Sequence, residues 1–303
     1  MVNPTEALVL AADIGGTHMR AALVEHNGKI LVHRTEPTPA HDDAPAALVD
    51  LIRSVIEMSG QQIADHAVVG LPGPVDYDAG MLLWAPHLPE SWTTLLTNDE
   101  LTNRLGLPVF IANDADLAAV GEATFGAGMG TPDVAYLTIS TGIGAGIICG
   151  GRLLRGRRSL AEVGHTVIDW NAWCAGRPST LEQLGSGSGM ALEAADAGMG
   201  EVDARAIAGA AHSGDRRARD IWSRAVSACA VGVCNLVMMF SPSTVVIGGG
   251  IGRQEDFFAA LCSMVASRPA RRPKDLSIVP SSLGDVAGLA GAAGWMAATS
   301  CSC

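Results

Sequence analysis

Three glycine-rich turns, each following an apolar run, constrain this chain more than any other feature. They are Asp13-Ile14-Gly15-Gly16-Thr17, Thr138-Ile139-Ser140-Thr141-Gly142-Ile143-Gly144-Ala145-Gly146 and Val246-Ile247-Gly248-Gly249-Gly250. The runs Leu8-Val9-Leu10, Val134-Ala135-Tyr136-Leu137 and Val245-Val246-Ile247 have the length of buried strands. A strand that ends in glycine lets backbone N–H groups approach a ligand, because no Cβ intervenes. Where such groups converge they form a nest for an anion, typically a phosphate. For any one of these turns, a tight strand-to-loop connection is the ordinary alternative. Three together, with an acid in the first and hydroxyls in the second, point to a nucleotide clamped between two halves of the chain.

At 303 residues the chain suits one large domain or two of ordinary size. Apolar residues make up 48% and charged residues 17%, which supplies a substantial core. The net charge of −11 and a pI near 5.1 argue against nucleic acid or an anionic membrane as a partner. Residues Met1 to Glu6 lack the basic segment of a signal peptide. The apolar stretch Ala225 to Phe240 contains Ser227, Gly232 and Asn235; it falls short of a membrane span and reads as a buried helix. The seven cysteines have no regular spacing and fit reduced thiols of a cytoplasmic protein. Cys301 and Cys303 read as a chain end rather than a metal site.

Pattern and punctuation place a β-β-β-α-β-α unit twice, each opened by a strand with a Gly-rich turn. The Asn27-Gly28 hairpin signal joins two strands of the first unit. Helices are expected near 44–59, 98–105, 202–211, 216–240, 254–267 and 287–299, and one beginning at Asn113-Asp114. The Gly- and Ser-rich region 172–200 reads as irregular. Domain boundaries are expected at 115 and 285, giving 1–115 plus 286–303 on the acceptor and first-phosphate side and 116–285 on the nucleotide side.

The pattern resembles the ROK family of sugar kinases, over nearly the whole chain. The matching pieces are Asp13–Thr17, Gly70–Val75 (GLPGPV), Ala112–Glu122 (ANDADLAAVGE), Leu137–Gly146, Ala161–His165 (AEVGH) and Cys234–Gly250. The resemblance implies an α/β fold of two actin-like ATPase (ribonuclease H-like) domains with a cleft between them, and ATP and Mg²⁺ as cofactors. It implies Asp114 as general base, taking the proton of the attacking hydroxyl; from the residues alone, a helix N-cap is an equal alternative. By the same resemblance Asn113, Gly73, Glu162, His165 and Glu182 contact the acceptor. Asp13 holds Mg²⁺ through water, and Gly15, Gly16 and Thr17 face the transferring phosphate. Thr141, Gly142 and Gly144 contact the other phosphates, and Gly248, Gly249 and Gly250 the adenosine. ROK relatives are often dimers, so a homodimer is expected. Helix 216–240 is a candidate surface for it, and internal packing is the alternative.

The chain departs from the family in two places. The usual zinc loop, of form C-x-C-G-x-x-G-C-x-E, is replaced by Trp173-Cys174-Ala175-Gly176-Arg177-Pro178-Ser179-Thr180-Leu181-Glu182. A structural zinc site needs about four N or S ligands; His165 and Cys174 make two, so no zinc site is expected. In Pro86-His87-Leu88, His87 stands where the family commonly has Asn. Both changes lie on the acceptor side. Glucose at its 6-hydroxyl is the first expectation for the acceptor. Another hexose, an N-acylhexosamine or a valiolone-type C7-cyclitol is the alternative, and polyphosphate is an alternative donor unsupported by any basic run. The rival class is a sugar-sensing transcriptional regulator; only twelve residues precede Asp13, too few for a DNA-reading module ahead of it.

Overall fold

The computed structural model describes residues 8–39, 44–60, 62, 64–85, 88–159, 162–267, 273 and 275–300. Met1 to Glu6, Pro86, His87, Ala161, Cys301 and Cys303 lie outside the described residues. The chain forms two compact units, residues 1–132, 146–160 and 282–303 in one and 133–145 and 161–281 in the other. The sequence reading placed the breaks at 115 and 285. The helix that starts at Asp114 packs inside the first unit, which carries that unit on to residue 132.

The first unit is built on strands β1 (Leu8–Ile14), β2 (His18–Glu25) and β3 (Ile30–Pro37), helix α1 (Ala44–Met58) and strand β4 (His66–Leu71). A small pair, β5 (Val75–Asp76) and β6 (Met81–Leu82), then helix α2 (Asn98–Leu105), strand β7 (Val109–Asn113) and helix α3 (Asp114–Phe125) follow. The main sheet has the order β3-β2-β1-β4-β7, with β1–β2 and β2–β3 antiparallel and β1–β4 and β4–β7 parallel. Leu10, Ile14, Met19, Leu23, Leu48, Ile52 and Leu71 fill its core. β1 is apolar and buried from Leu8 to Ala12, as in a strand with both faces covered, and its polar Asp13 comes only at the C-terminal end. α10 (Ala287–Thr299) returns from the end of the chain to pack on β1 and α3. That helix is Ala- and Gly-rich for a steric reason: a Cβ at Gly291 would strike the Leu117 carbonyl, and one at Gly121 the Ala287 carbonyl.

The second unit opens on β8 (Val134–Ile139) and the start of β9 (Ile143–Cys149), the strand in which the chain passes to the first unit before β10 (Arg152–Leu153). Helices α4 (Trp170–Cys174), α5 (Leu181–Gly185), α6 (Gly187–Asp196), α7 (Ala204–His212) and α8 (Arg216–Phe240) follow. Strand β11 (Thr244–Gly248), helix α9 (Glu255–Ser267) and strand β12 (Ser277–Pro280) complete it. The sheet order β10-β9-β8-β11-β12 repeats that of the first sheet: third, second, first, fourth and fifth strand of its own half. The chain is thus a duplicated α/β fold.

Region 172–200 corrects the expectation of irregular structure. It carries the end of α4 and the whole of α5 and α6. Polar residues serve there as caps: Thr180 and Ser186 each accept a backbone N–H at the start of a helix, as Asp169 does for α4 just before the region. Thr180 and Gln183 make a reciprocal capping box. Helix α8 has the length and mean hydropathy (1.5) of a membrane span. Ile221, Ala225, Cys229, Val233 and Leu236 are buried, and it packs on α5, α7 and α9, so its apolar character serves the core of the unit.

Candidate active site

In the first unit the sequence-derived residues gather at the C-terminal ends of three neighbouring strands. Asp13 lies opposite Gly70 in the parallel β1–β4 pair, and Leu71 lies opposite Asn113 in β4–β7. This is the edge at which open α/β sheets present ligand sites. The turn after β1 is fastened from β3: Thr38 donates its hydroxyl to the Gly15 carbonyl at 2.6 Å and its N–H to Thr17 O at 2.9 Å. Gly16 and Thr17 stay exposed.

Asp13 faces Arg20, its antiparallel partner on β2, with Arg20 Nη1 to Asp13 Oδ2 at 3.2 Å. Burial pushes the Asp13 carboxyl above the ordinary aspartate range, and the Arg20 guanidinium opposes that shift. The other oxygen, Oδ1, lies on the side of Gly70, where no side chain intervenes. A single carboxylate with one oxygen so placed fits Mg²⁺, which keeps much of its water and is completed by substrate phosphates. Among the described residues no three His, Cys, Asp or Glu side chains form a metal-ligating group.

At the start of α3 both Asn113 and Asp114 bond the first turn, and Asp114 Oδ1 accepts the Ala115 N–H at 2.8 Å. Asn113 is the cap: its Oδ1 accepts from the N–H groups of Ala115 and Asp116, both at 3.1 Å. Its Nδ2 donates to the Gly73 carbonyl at 3.0 Å. Asp114 is the first residue of the helix, half-buried, directly after β7. Gly73 has a φ of +106°, and a Cβ there would strike the Trp84 carbonyl, so glycine is needed at this turn for packing whatever it binds.

In the second unit the sequence-derived residues of the second glycine turn and of α5 also meet. Glu182, in the first turn of α5, accepts the Ile143 N–H on Oε2 at 2.8 Å, and the absence of a Cβ on Gly142 makes room for that carboxylate. Glu162 Oε2 lies 3.7 Å from His165 Nε2. Burial raises the Glu162 carboxyl above the usual glutamate range; His165 opposes the shift and Glu182 adds to it. Gly248 lies opposite Thr138 in the β11–β8 pair, which puts the third glycine turn beside the second. Within the third turn the roles differ. A Cβ on Gly248 would hit the Tyr136 hydroxyl and one on Gly249 (φ +80°) the Ile139 carbonyl, whereas Gly250 is exposed with open space around it. Thr141 is exposed as well, and Gly144 is half-buried.

The loop that replaces the family's zinc site is held by backbone bonds. Ile168 N and Asp169 N donate to Ser179 O at 2.9 and 3.2 Å, Arg177 N to Ala172 O at 2.9 Å, and Leu181 N to Thr166 O at 3.0 Å. Cys174 is exposed. Sequence reasoning missed Arg20, Tyr77 and Asp116. Arg20 was findable, because a tight turn between β1 and β2 dictates its pairing with Asp13. Tyr77 carried no local signal.

Residues 9–299 match the family described as the ROK family. The glucokinase of Thermotoga maritima is 34% identical over 81% of this chain and 82% of its own length. The N-acetylmannosamine kinase of Shigella flexneri is 33% identical over 88% of this chain and 91% of its own. A ROK family glucokinase from Streptomyces griseus, solved with glucose and AMPPNP, superposes with a TM-score of 0.77 at 30% identity, covering 95% of this chain and 98% of that one. The chain belongs to the ROK family, and its fold is the actin-like ATPase fold of the family's sugar kinases. The relatives named here are sugar kinases.

Proposed function

We propose that this chain is a sugar kinase that transfers the γ-phosphoryl group of ATP to a primary hydroxyl of a hexose, with Asp114 as general base. The observation that carries this reading is the arrangement at the start of α3: Asn113 is the N-cap, and Asp114, whose Oδ1 also accepts the Ala115 N–H at 2.8 Å, follows it as the first helical residue, half-buried directly after β7. Asp114 takes the proton of the acceptor hydroxyl as the new O–P bond forms and the bond to the ADP oxygen breaks. Mg²⁺, when bound, neutralises phosphate charge; Asp13 would hold it, through water. The turns Gly15–Thr17 and Thr141–Gly144 would bind phosphates with their backbone N–H groups, and Gly248–Gly250 the adenosine, with Gly250 at the exposed end.

Glu162, His165 and Glu182, with Gly73 and Asn113, would bind the acceptor. Carboxylates accept hydrogen bonds from neighbouring hydroxyls and reject analogues that leave them unpaired. Glucose at its 6-hydroxyl is the first choice, supported by the glucokinase relatives. An N-acylhexosamine is the second reading, favoured by the N-acetylmannosamine kinase relative. A cyclitol finds no support among the relatives named above. A cytoplasmic homodimer without zinc completes the reading. The test is ADP release from Mg-ATP across glucose, mannose, fructose, N-acetylmannosamine, N-acetylglucosamine and a valiolone-type cyclitol. Turnover with one acceptor that Asp114→Asn abolishes supports the reading; full turnover in that variant overturns the general-base role.

A further inference from the structure

Beneath Asp114 lies a polar assembly that neither the motifs nor the reading above assigns. The Tyr77 hydroxyl donates to Asp116 Oδ2 at 2.6 Å and accepts the backbone N–H of Asn113 at 3.3 Å. Asp116 is 1% exposed and sits in the first turn of α3. One phenol oxygen therefore ties the last residue of β7 to the first turn of the helix, and Asp114 is one of the two residues between the anchor points. The phenol is fixed in its turn. Its ring packs at 5.7 Å on Trp295 of α10, and the Arg155 guanidinium lies 5.3 Å above its face. The Tyr77 N–H bonds to Arg157 O at 2.9 Å. Next to it, the Asp76 carboxylate receives Ala79 N at 3.0 Å and Arg157 Nε at 3.0 Å. Burial, and then the Asp116 charge, hold the phenol well above its usual range, so it stays a neutral donor.

We propose that Tyr77 is a positioning residue for phosphoryl transfer: its hydroxyl, held between Asn113 N–H and the Asp116 carboxylate, sets the place of Asp114 relative to the acceptor hydroxyl. This rests on the reading of Asp114 as general base. A catalytic carboxylate displaced by a fraction of an ångström loses rate while the substrates still bind, because the misfit falls on the proton transfer and not on the binding contacts. Tyr77→Phe keeps the ring on Trp295 and under Arg155 and deletes only the hydroxyl.

The experiment compares wild type, Tyr77→Phe, Asp116→Asn, Asp116→Ala and Asp114→Asn in steady-state kinetics, with thermal melting as a folding control. Tyr77→Phe is expected to lower kcat about tenfold while both KM values stay within about twofold. Asp116→Asn keeps a carbonyl oxygen for the phenol and is expected to retain most of kcat, whereas Asp116→Ala loses as much as Tyr77→Phe. A general weakening of the fold would lower the melting temperature and move KM, and would not be rescued by the amide. Wild-type kcat in Tyr77→Phe, with Asp114→Asn inactive, overturns the positioning role and leaves the base standing. Full turnover in Asp114→Asn overturns the base itself. Equal loss in Asp116→Asn and Asp116→Ala also overturns the proposal, since the hydroxyl would then not be what matters.

Discussion

Glu182 Oε2 accepts the backbone N–H of Ile143 at 2.8 Å, so one carboxylate braces the glycine-rich turn after β8 from the first turn of α5. Its other oxygen takes no hydrogen bond from the described residues. Ile143 is buried, and an N–H left without its partner there costs about 1–3 kcal/mol.

The two oxygens can be separated by mutation. Glu182→Gln keeps a carbonyl oxygen for Ile143 and loses the charge, so the acceptor KM is expected to rise about tenfold with the ATP KM nearly unchanged, as fits loss of a charged hydrogen bond. Glu182→Ala is expected to raise both. Initial-rate measurements with each substrate varied in turn decide it. If Glu182→Gln raises the ATP KM as strongly as Glu182→Ala, the brace is not what shapes the phosphate turn.

Glu122 is fully buried at the end of α3 and receives Ala127 N at 2.8 Å, Ser282 N at 3.3 Å and Leu283 N at 2.9 Å. It joins the end of that helix to the segment that leads into α10. Removing the carboxylate strands these donors, and Glu122→Ala is expected to destabilise the protein by about 3 kcal/mol or more. Denaturant unfolding of the variant would show a lowered midpoint; an unchanged midpoint would mean the donors find water instead.

The loop from Trp173 to Glu182 is expected to need no metal. Incubation with a zinc chelator should leave the melting temperature unchanged, and metal analysis should return no stoichiometric zinc. Thr180→Ala, which removes the hydroxyl that accepts Gln183 N at 3.3 Å, should instead cost about 1 kcal/mol, the usual worth of an N-cap. A chelator-induced fall in melting temperature would assign the loop a metal after all.

What the sequence made legible divides by range. Helix 216–240 was readable from the long apolar stretch that ends at Phe240, and the structure adds Asp215 as its N-cap. The strand ends at Asp13, Asn113 and Gly248 were readable because each is a glycine or polar break after an apolar run. Region 172–200 was not, since serine and threonine favour turns and helix caps alike, and only three-dimensional structure says which. Whether Asn113 or Asp114 caps α3 was open for the same reason. The hydrogen bond from Tyr77 to Asp116 spans 39 residues and has no local signature at all. Local rules thus reach the strands and turns of the candidate site, and miss the side chains that brace it from a distance.

Glu162 supplies the pH test. Its carboxyl is raised above 4.5, chiefly by burial, with the nearby His165 working against the shift. The ionised form is the one that accepts hydrogen bonds from sugar hydroxyls, so binding competence is present above the raised value and is lost as pH falls through it. The acid limb of kcat/KM for the acceptor, at saturating ATP, should therefore lie above the ordinary glutamate range, since that ratio reports groups of the free enzyme. In Glu162→Gln that limb should vanish, with kcat/KM low throughout. The sign also fixes stability: a carboxyl raised on folding favours the folded state as it protonates, so Glu162→Gln should be no less stable than wild type at neutral pH. An acid limb that survives unchanged in Glu162→Gln would remove Glu162 from the acceptor site.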